Sequence, residues 1–169
     1  DHAVARGARI HGEMLGYGTS CDHSHLVRPE VEGQVRALKL TLADAGLTPA
    51  DIDYINAHGT ATAEGDPVEI GALKVVFGER AARLPVSATK SMHGHLLGAA
   101  GAIEAIATVL ALREQVVPPT ANLQDNLDPA CTGVDHVTTG RRQTLRAALS
   151  NSFAFGGSNA VLAFRAVAP

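Results

Sequence analysis

Apolar residues recur at helical spacing between residues 30 and 47. The positions on one face are Val31, Val35, Leu38, Leu42 and Ala45. This period of three to four residues predicts an amphipathic helix that buries one face. Gly46 marks its expected end, because glycine readily adopts the left-handed conformation in which helices terminate.

Two further stretches have helical patterns. Residues 66–78 begin with Asp66 and Pro67, which suit the N-cap and the first position of a helix. Residues 94–114 are rich in Gly and Ala and carry apolar residues nearly all round the predicted helix. We expect this helix to be buried on most of its sides.

Short apolar runs alternate with these helices. The predicted strands lie within residues 5–20, 52–55, 84–90, 136–152 and 159–167. Thr48 is the expected cap of a short turn before the second strand. The order is strand, helix, strand, helix, strand, helix and then two adjacent strands, which predicts a layered α/β domain with a mixed sheet. The residues before the first strand resemble the tail of a helix, so we expect the chain to begin inside a larger unit.

The bulk composition restricts the class of protein. The chain has 169 residues, 46% of them hydrophobic, and a formal net charge of −3. This length supports a single domain, 1–169, and the mild negative charge gives no electrostatic reason to bind nucleic acid. The apolar stretch 96–112 contains Glu104, which favours a buried helix over a membrane span. The lack of a signal peptide and the two distant cysteines predict a cytoplasmic protein with free thiols.

Three loops that follow predicted strands carry residues capable of chemistry. "NAHGTATAEGD" contains His58, "TKSMHGH" contains Lys90 and His95, and "SNSFAFGGSN" contains Phe155. Such loops gather at the carboxyl ends of the strands of an α/β sheet, where sites form. Each residue alone has a commonplace explanation as a surface histidine, a solvated lysine or a core aromatic. His93 and His95 have the spacing of two metal ligands, although no cysteine or carboxylate cluster lies beside them in sequence.

Together the three loops are far more specific. The patterns "HGTxTxxGDxxE", "KSxxGHxxGAAG" and "NSFxFGGxN" resemble the C-terminal half of β-ketoacyl-ACP synthases, the condensing enzymes of fatty-acid and polyketide synthesis. The resemblance runs from residue 7 to residue 164 and is closest to the elongating synthases I and II. It implies half of a thiolase-like fold, layered α-β-α around a mixed sheet, with the Gly/Ala-rich helix buried. Modular polyketide ketosynthases tend instead to have "EAHGTGTxLGD" and "KSNIGH".

The resemblance implies a reaction and four catalytic residues. Malonyl-ACP loses CO2, and the resulting enolate attacks an acyl group held as a thioester. His58 and His95 are expected to donate hydrogen bonds to the developing oxyanion. The predicted helix that starts at His95 disfavours a charged imidazolium there. Lys90 is expected to pair with Glu69 and to organise the two histidines.

The resemblance also implies residues that bind the substrate or a cation. Thr60 and Thr62 are expected to hydrogen-bond the phosphopantetheine arm of the carrier protein, with ordinary loop capping as the alternative. Phe155 is the expected gate of the acyl site. Phe153, Gly156 and Gly157 share its loop, and Ala154, where many relatives have glycine, is expected to alter the mobility of this loop. The positions that surround a monovalent cation in some relatives are Asn56, Glu104, Ser150 and Asn151. We expect no tightly bound cofactor.

The nucleophilic cysteine of the family is missing. Neither Cys21 nor Cys131, both expected in loops, has a base or a helix N-terminus beside it that would activate its thiol. We therefore expect this chain to act with a Cys-bearing N-terminal half, with acyl carrier protein, and as a homo- or heterodimer. The alternatives are a non-catalytic subunit resembling a chain-length factor and an isolated domain without activity. The sequence does not indicate acyl chain length or distinguish the fatty-acid from the polyketide pathway.

Overall fold

The computed structural model describes residues 2–167. The helices are α1 (His2–Ala5), α2 (Val31–Asp44), α3 (Gly65–Phe77), α4 (Lys90–His93) and α5 (Ala100–Glu114). The strands are β1 (Glu13–Cys21), β2 (Tyr54–Asn56), β3 (Pro85–Ser87), β4 (Val116–Val117), β5 (Asp135–His136), β6 (Arg141–Arg142), β7 (Ala147–Ala154) and β8 (Ser158–Arg165).

Six strands form one mixed sheet in the order β1-β8-β7-β2-β3-β5. The long strands β1, β8 and β7 are antiparallel neighbours, whereas β7, β2, β3 and β5 pair in parallel. Parallel neighbours bring their carboxyl ends to the same edge. The predicted α/β class and the mixed sheet are confirmed, and β4 and β6 add a separate two-stranded ribbon.

Helices cover both faces of the sheet. Adjacent residues of a strand point to opposite faces. Ile55 and Leu149 accordingly belong to the core under α2 and α3, and Tyr54 and Ala148 to the core under α5. All four side chains are fully buried. The result is the α-β-α layering that the sequence predicts.

Local sequence signals account for several element ends. α2 ends at Asp44, and the Gly46 N–H donates to the Ala43 carbonyl as the helix closes. Thr48 caps a 3₁₀ turn in a reciprocal box with Asp51, as its position predicts. α3 begins at Gly65, two residues before the expected first position at Pro67, because Thr62 Oγ1 accepts the Gly65 N–H.

The predicted helix 94–114 differs from the prediction in two ways. Its first residues form no α-helix: Gly94 ends the short α4, a 3₁₀ turn covers Leu97–Ala99, and α5 begins only at Ala100, because Gly94 and Leu97 have positive φ angles of 80° and 50°. It is also buried along one face only. Ile103, Ile106 and Leu110 of α5 are 37%, 56% and 40% exposed.

Two smaller observations complete the fold. Cys21 is the last residue of β1 and not part of the following loop, because its strand pairing with Ser158 extends that far. None of the helices in residues 2–167 combines the length and apolar character that crossing a bilayer requires.

Candidate active site

The two histidines meet at the carboxyl edge of the parallel strands. His58 lies two residues beyond β2, and His95 follows α4 after β3. Their ring centroids are 5.6 Å apart with the ring planes nearly perpendicular at 86°. Phe153 of β7 lies 6.0 Å from His58, ring to ring. The topology therefore brings together the three loops that the sequence singled out.

Glu69 of α3 holds the loop that carries His58. Its carboxylate accepts the backbone N–H of His58 at 2.9 Å and that of Gly59 at 3.0 Å. It also accepts the Asn151 side-chain amide at 2.9 Å. Burial raises the pKa of the Glu69 carboxyl, and these donors offset part of that effect. A Cβ at Gly59 would lie 2.5 Å from the Ala88 Cβ, so the loop can pack here only with glycine.

The expected Lys90–Glu69 pair is wrong. Lys90 Nζ instead donates to Glu104 Oε1 of α5 at 2.5 Å, and both side chains are buried, at 4% and 0% exposed. Glu69 is occupied by the backbone of the His58 loop and does not need a lysine. The two carboxylates thus have different roles: Glu69 fixes the His58 loop, and Glu104 neutralises the buried ammonium group of Lys90.

The hydrogen-bond partner at Nδ1 of each ring shows which ring nitrogen, Nδ1 or Nε2, carries the proton. Lys90 Nζ lies 3.2 Å from His58 Nδ1, and an ammonium group only donates, so Nδ1 accepts. His95 Nδ1 likewise accepts the Leu97 N–H at 3.3 Å. A neutral imidazole protonated at Nε2 satisfies both contacts. Each ring therefore presents one Nε2–H donor.

The environment of His58 keeps its ring neutral. Burial lowers its pKa from the ordinary 6.5 to about 3, and the charge of Lys90 and the neighbouring His95 add to this effect. His95 is exposed in the structure and lies just before the 3₁₀ turn rather than on the first turn of a long helix. The expected helix-end effect at His95 is therefore weaker than the sequence suggested.

The loop at residues 154–157, called the glycine loop, packs against residues 22–26, a contact that the sequence did not predict. Phe155 is 79% exposed, and its neighbours are tied to the segment after β1. The Gly156 N–H donates to the Leu26 carbonyl at 2.7 Å, and the Asp22 N–H donates to the Gly157 carbonyl at 2.9 Å. A Cβ on Gly157 would lie 2.7 Å from the Asp22 Cβ, which explains a glycine there. Asp22 also accepts the Asn159 side-chain amide at 2.8 Å, a contact that no local sequence pattern indicates.

Ala154 fits its position without strain. Its φ is −128° and its ψ is 163°, an extended conformation that any residue adopts. Glycine is therefore not required at this position in the observed arrangement.

Thr60 and Thr62 lie on one side of the His58 loop. Their Oγ1 atoms are 3.5 Å apart, with Thr60 half-buried and Thr62 exposed. Thr62 caps α3 through the Gly65 N–H at 3.1 Å, so the capping alternative describes part of its role. Because Thr62 Oγ1 acts as an acceptor in this bond, its hydroxyl proton can still be donated to another group.

The four residues expected around a cation are all buried. Asn56, Glu104, Ser150 and Asn151 are at most 2% exposed. Glu104 Oε2 and Asn151 Oδ1 have no hydrogen-bond partner within residues 2–167. Carboxylate and amide oxygens are the ligands that hard cations prefer. Asn56 fits less well, because its Oδ1 already accepts the Thr89 hydroxyl at 3.2 Å.

Neither cysteine has the surroundings of a nucleophile. Cys21 is exposed, and its Sγ lies 3.3 Å from the Gly156 carbonyl oxygen. Cys131 is buried beside a cavity of about 350 Å³. Burial raises the pKa of its thiol, and the charges of Asp66 and Asp128 raise it further. A raised pKa lowers the thiolate fraction, which makes Cys131 a poor nucleophile.

The metal alternative at His93 and His95 has no support in the described part of the chain. No group of three or more His, Cys, Asp or Glu side chains in residues 2–167 is arranged to hold a metal ion. The His93 ring is directed instead at Thr89 and Gly94.

Comparison with known proteins gives a consistent picture. Nodulation protein E of Rhizobium sp. (strain N33) is 53% identical over 99% of this chain and 41% of its own length. 3-Oxoacyl-[acyl-carrier-protein] synthase 2 of Rhizobium meliloti (strain 1021) is 49% identical over 98% of this chain and 39% of its own length. A type II PKS acyl-carrier protein in complex with its ketosynthase bound to the hexaketide matches with a TM-score of 0.93 and 38% identity, over 99% of this chain and 41% of the matched chain.

The chain thus spans about two fifths of the length of the relatives it matches. Residues 11–124, which include both histidines and the buried lysine, match the model of the β-ketoacyl synthase C-terminal domain. The motifs, the thiolase-like fold and this match agree. The chain belongs to the β-ketoacyl synthase family and represents its C-terminal domain.

Proposed function

We propose that this chain supplies the oxyanion-stabilising half of a 3-oxoacyl-ACP synthase active site. The observation that carries the proposal is the pair of histidines at 5.6 Å, each with Nδ1 occupied and Nε2–H free. Two donors fixed in advance are what an enolate oxygen needs, because they stabilise charge without reorganising during the reaction.

The proposed step balances as a decarboxylative Claisen condensation. The bond between the malonyl carboxylate and the α-carbon breaks and CO2 leaves. The electron pair of that bond stays on the α-carbon and forms the enolate. The enolate oxygen accepts Nε2–H bonds from His58 and His95. The α-carbon then attacks the acyl thioester carbon, the new C–C bond forms, and the thiolate leaves. A neutral His58 donates a hydrogen bond without transferring its proton.

The pair of Lys90 and Glu104 serves the histidines indirectly. The Lys90 ammonium occupies His58 Nδ1, so the proton of a neutral ring stays on Nε2. Glu104 neutralises the lysine, which would otherwise be a buried unpaired charge at considerable cost. Lys90 therefore orients and tunes the ring and does not abstract a proton.

Thr60, Thr62 and the glycine loop are the proposed contacts of the substrate. The phosphopantetheine arm of acyl carrier protein carries amide groups that a threonine hydroxyl can bond, and the Thr62 proton is free to do so. Phe155 is exposed two residues after Phe153, whose ring lies 6.0 Å from His58, and we propose that it closes over an acyl chain. The carrier protein seen with the related ketosynthase supports this choice of partner.

The nucleophile is proposed to come from a Cys-bearing N-terminal half. The relatives are more than twice as long as this chain, and neither cysteine of this chain has the environment of a nucleophile. α5 also exposes Ile103, Ile106 and Leu110 on the face turned away from the sheet. Contiguous exposed apolar side chains of this kind mark an interaction surface. We propose that the missing half covers this face and that the assembled enzyme is a homo- or heterodimer.

A non-catalytic subunit resembling a chain-length factor is the second candidate. A subunit of that kind has no use for oriented oxyanion donors. The retention of both histidines, with Lys90 and Glu104 intact behind them, favours the catalytic role.

A monovalent cation is proposed beside the buried side chains of Glu104 on α5 and Asn151 on β7. Glu104 Oε2 and Asn151 Oδ1 are buried oxygens without partners in residues 2–167, and leaving them so costs free energy. Bound there, the cation would supply only charge compensation and rigidity.

The first prediction concerns the two donors. In the protein that joins this chain to the Cys-bearing half, His58→Ala and His95→Ala are each expected to slow malonyl-ACP decarboxylation by about 100- to 1,000-fold. Transfer of the acyl group to the cysteine is expected to persist, because it does not build up the enolate charge. CO2 release and acyl loading measured separately test this, with His2→Gln on α1 as the control. Equal losses in both half-reactions would contradict the assigned role.

The second prediction concerns the protonation of His58. Its folded pKa of about 3 lies below the ordinary 6.5, so the unfolded chain binds a proton between these values that the folded chain does not. The contribution of His58 to folding stability is therefore present above about pH 6.5 and is lost as the pH falls toward 3. An NMR titration of the ring signals checks this directly. A His58 midpoint near 6.5 would show that the ring is not held neutral.

The third prediction concerns the exposed face of α5. Ile106→Glu is expected to weaken assembly with the Cys-bearing half, because it introduces a charge into an apolar contact. Val75→Glu is the matched control, since Val75 is 59% exposed on α3 and Ile106 is 56% exposed on α5. Native mass spectrometry of the isolated assembly measures the bound fraction. Equal loss of assembly in both variants would exclude this face as the specific contact.

The fourth prediction concerns the cation. Replacing K⁺ by choline at constant ionic strength is expected to lower the thermal midpoint of the intact protein by several degrees, since a ligand bound only to the folded state stabilises it. A cation present at a concentration of about 100 times its dissociation constant adds about 2.7 kcal/mol to the free energy of unfolding. Thermal unfolding in K⁺, Na⁺ and choline chlorides tests this. Identical midpoints in all three salts would remove the cation from the site.

A further inference from the structure

His93 spans two groups that border the active site. It is the last residue of α4, and its Nδ1 lies 2.8 Å from the Gly94 carbonyl oxygen. Its Nε2 lies 3.2 Å from Thr89 Oγ1, one helical turn earlier. The Gly94 carbonyl belongs to the peptide that joins Gly94 to His95. The His93 ring therefore fixes the peptide unit on which His95 is mounted.

The backbone carbonyl of Glu104 determines which atom donates in the hydrogen bonds among Asn56, Thr89 and His93. This oxygen only accepts, and Asn56 Nδ2 lies 3.3 Å from it, so the amide nitrogen of Asn56 faces α5. Asn56 Oδ1 then faces Thr89 and accepts its hydroxyl proton at 3.2 Å. Thr89 has no second proton, so its oxygen accepts from His93 Nε2. The Gly94 carbonyl and Thr89 Oγ1 thus each offer a lone pair to one ring nitrogen of His93.

The same network reaches the other histidine. Asn56 Nδ2 also lies 3.3 Å from Thr108 Oγ1, and Thr108 donates to the Glu104 carbonyl at 2.7 Å. These bonds hold the turn of α5 that carries Glu104. The Glu104 carboxylate in turn pairs with Lys90, whose Nζ contacts His58 Nδ1. A chain of polar groups, buried at Thr89, Asn56, Glu104 and Lys90, thus links the exposed His93 to both oxyanion donors.

We propose that His93 is a positioning residue that sets the geometry of His95 directly and that of His58 through Thr89 and Asn56. The inference rests on the proposed function, since it assigns His93 a part in the same reaction. Oxyanion donors act only when they are aimed at the developing charge. A misplacement of about 1 Å costs about 100-fold in rate, so a side chain that never touches the substrate controls turnover.

Variants of His93 and Thr89 in the protein that joins this chain to the Cys-bearing half test the proposal. His93→Ala and Thr89→Val are expected to lower kcat for malonyl-ACP decarboxylation by about 10- to 100-fold with KM unchanged. Thr89→Ser keeps the hydroxyl and is expected to retain activity within about twofold of wild type. His2→Gln removes an exposed histidine far from the network and serves as the control. Wild-type kcat in His93→Ala, or equal loss in Thr89→Ser and Thr89→Val, would overturn the proposal.

A second measurement separates this inference from the proposed function. In ¹⁵N-histidine-labelled protein, the ring nitrogens of His93 are expected to show the shifts of hydrogen-bonded groups, and Thr89→Val is expected to move the Nε2 signal. The His2 ring is the reference for free exchange with water. A His93 ring that exchanges as freely as that of His2 would overturn the inference even in an active enzyme. If the wild-type protein shows no condensation at all, the proposed function fails, and these ring signals still decide whether His93 holds the peptide before His95.

Discussion

The buried ion pair between Lys90 and Glu104 is the contact on which the site depends. It joins the segment after β3 to the middle of α5, and it places an ammonium 3.2 Å from His58 Nδ1. Removing one partner of a buried pair costs about 3–5 kcal/mol, because it leaves an uncompensated charge in a medium of low polarity. A chain with marginal stability retains such a pair only where its contacts offset the cost of removing both charges from water. Here the same contact also fixes the tautomer of the His58 ring, which gives a physical reason for its presence.

Two buried carboxylates with different partners organise the two sides of His58. Glu69 accepts three N–H groups and so fixes the backbone, whereas Glu104 accepts a cation and so fixes the side chain. Exchanging these roles would leave the backbone N–H groups of His58 and Gly59 without an acceptor. The separation of backbone and side-chain control explains how an exposed loop holds a ring in one orientation. It also explains why α3 and α5, on opposite faces of the sheet, both contribute to one site.

The sequence predicted the order of elements, the mixed sheet and the meeting of His58 with His95, because these follow from short-range periodicity and from strand order. It failed where a choice depended on three-dimensional distance. Lys90 was expected to pair with Glu69, whereas the packing of α5 on β7 brings Glu104 close to it instead. The contact of Asp22 with Gly157 lies equally far beyond local pattern, since the two residues are separated by most of the chain. The break before α5 depended on Leu97 at a φ of 50°, a conformation that no residue preference indicates for leucine.

The site is well oriented but open. Burial withdraws His58 from water, whereas His95 and Phe155 remain exposed. Water at an exposed donor competes for its hydrogen bond and weakens any electrostatic stabilisation there. The geometry of the donors is thus complete within this chain, but the exclusion of water is not. Closing that side would exclude water and so strengthen both Nε2–H groups as donors without moving either ring.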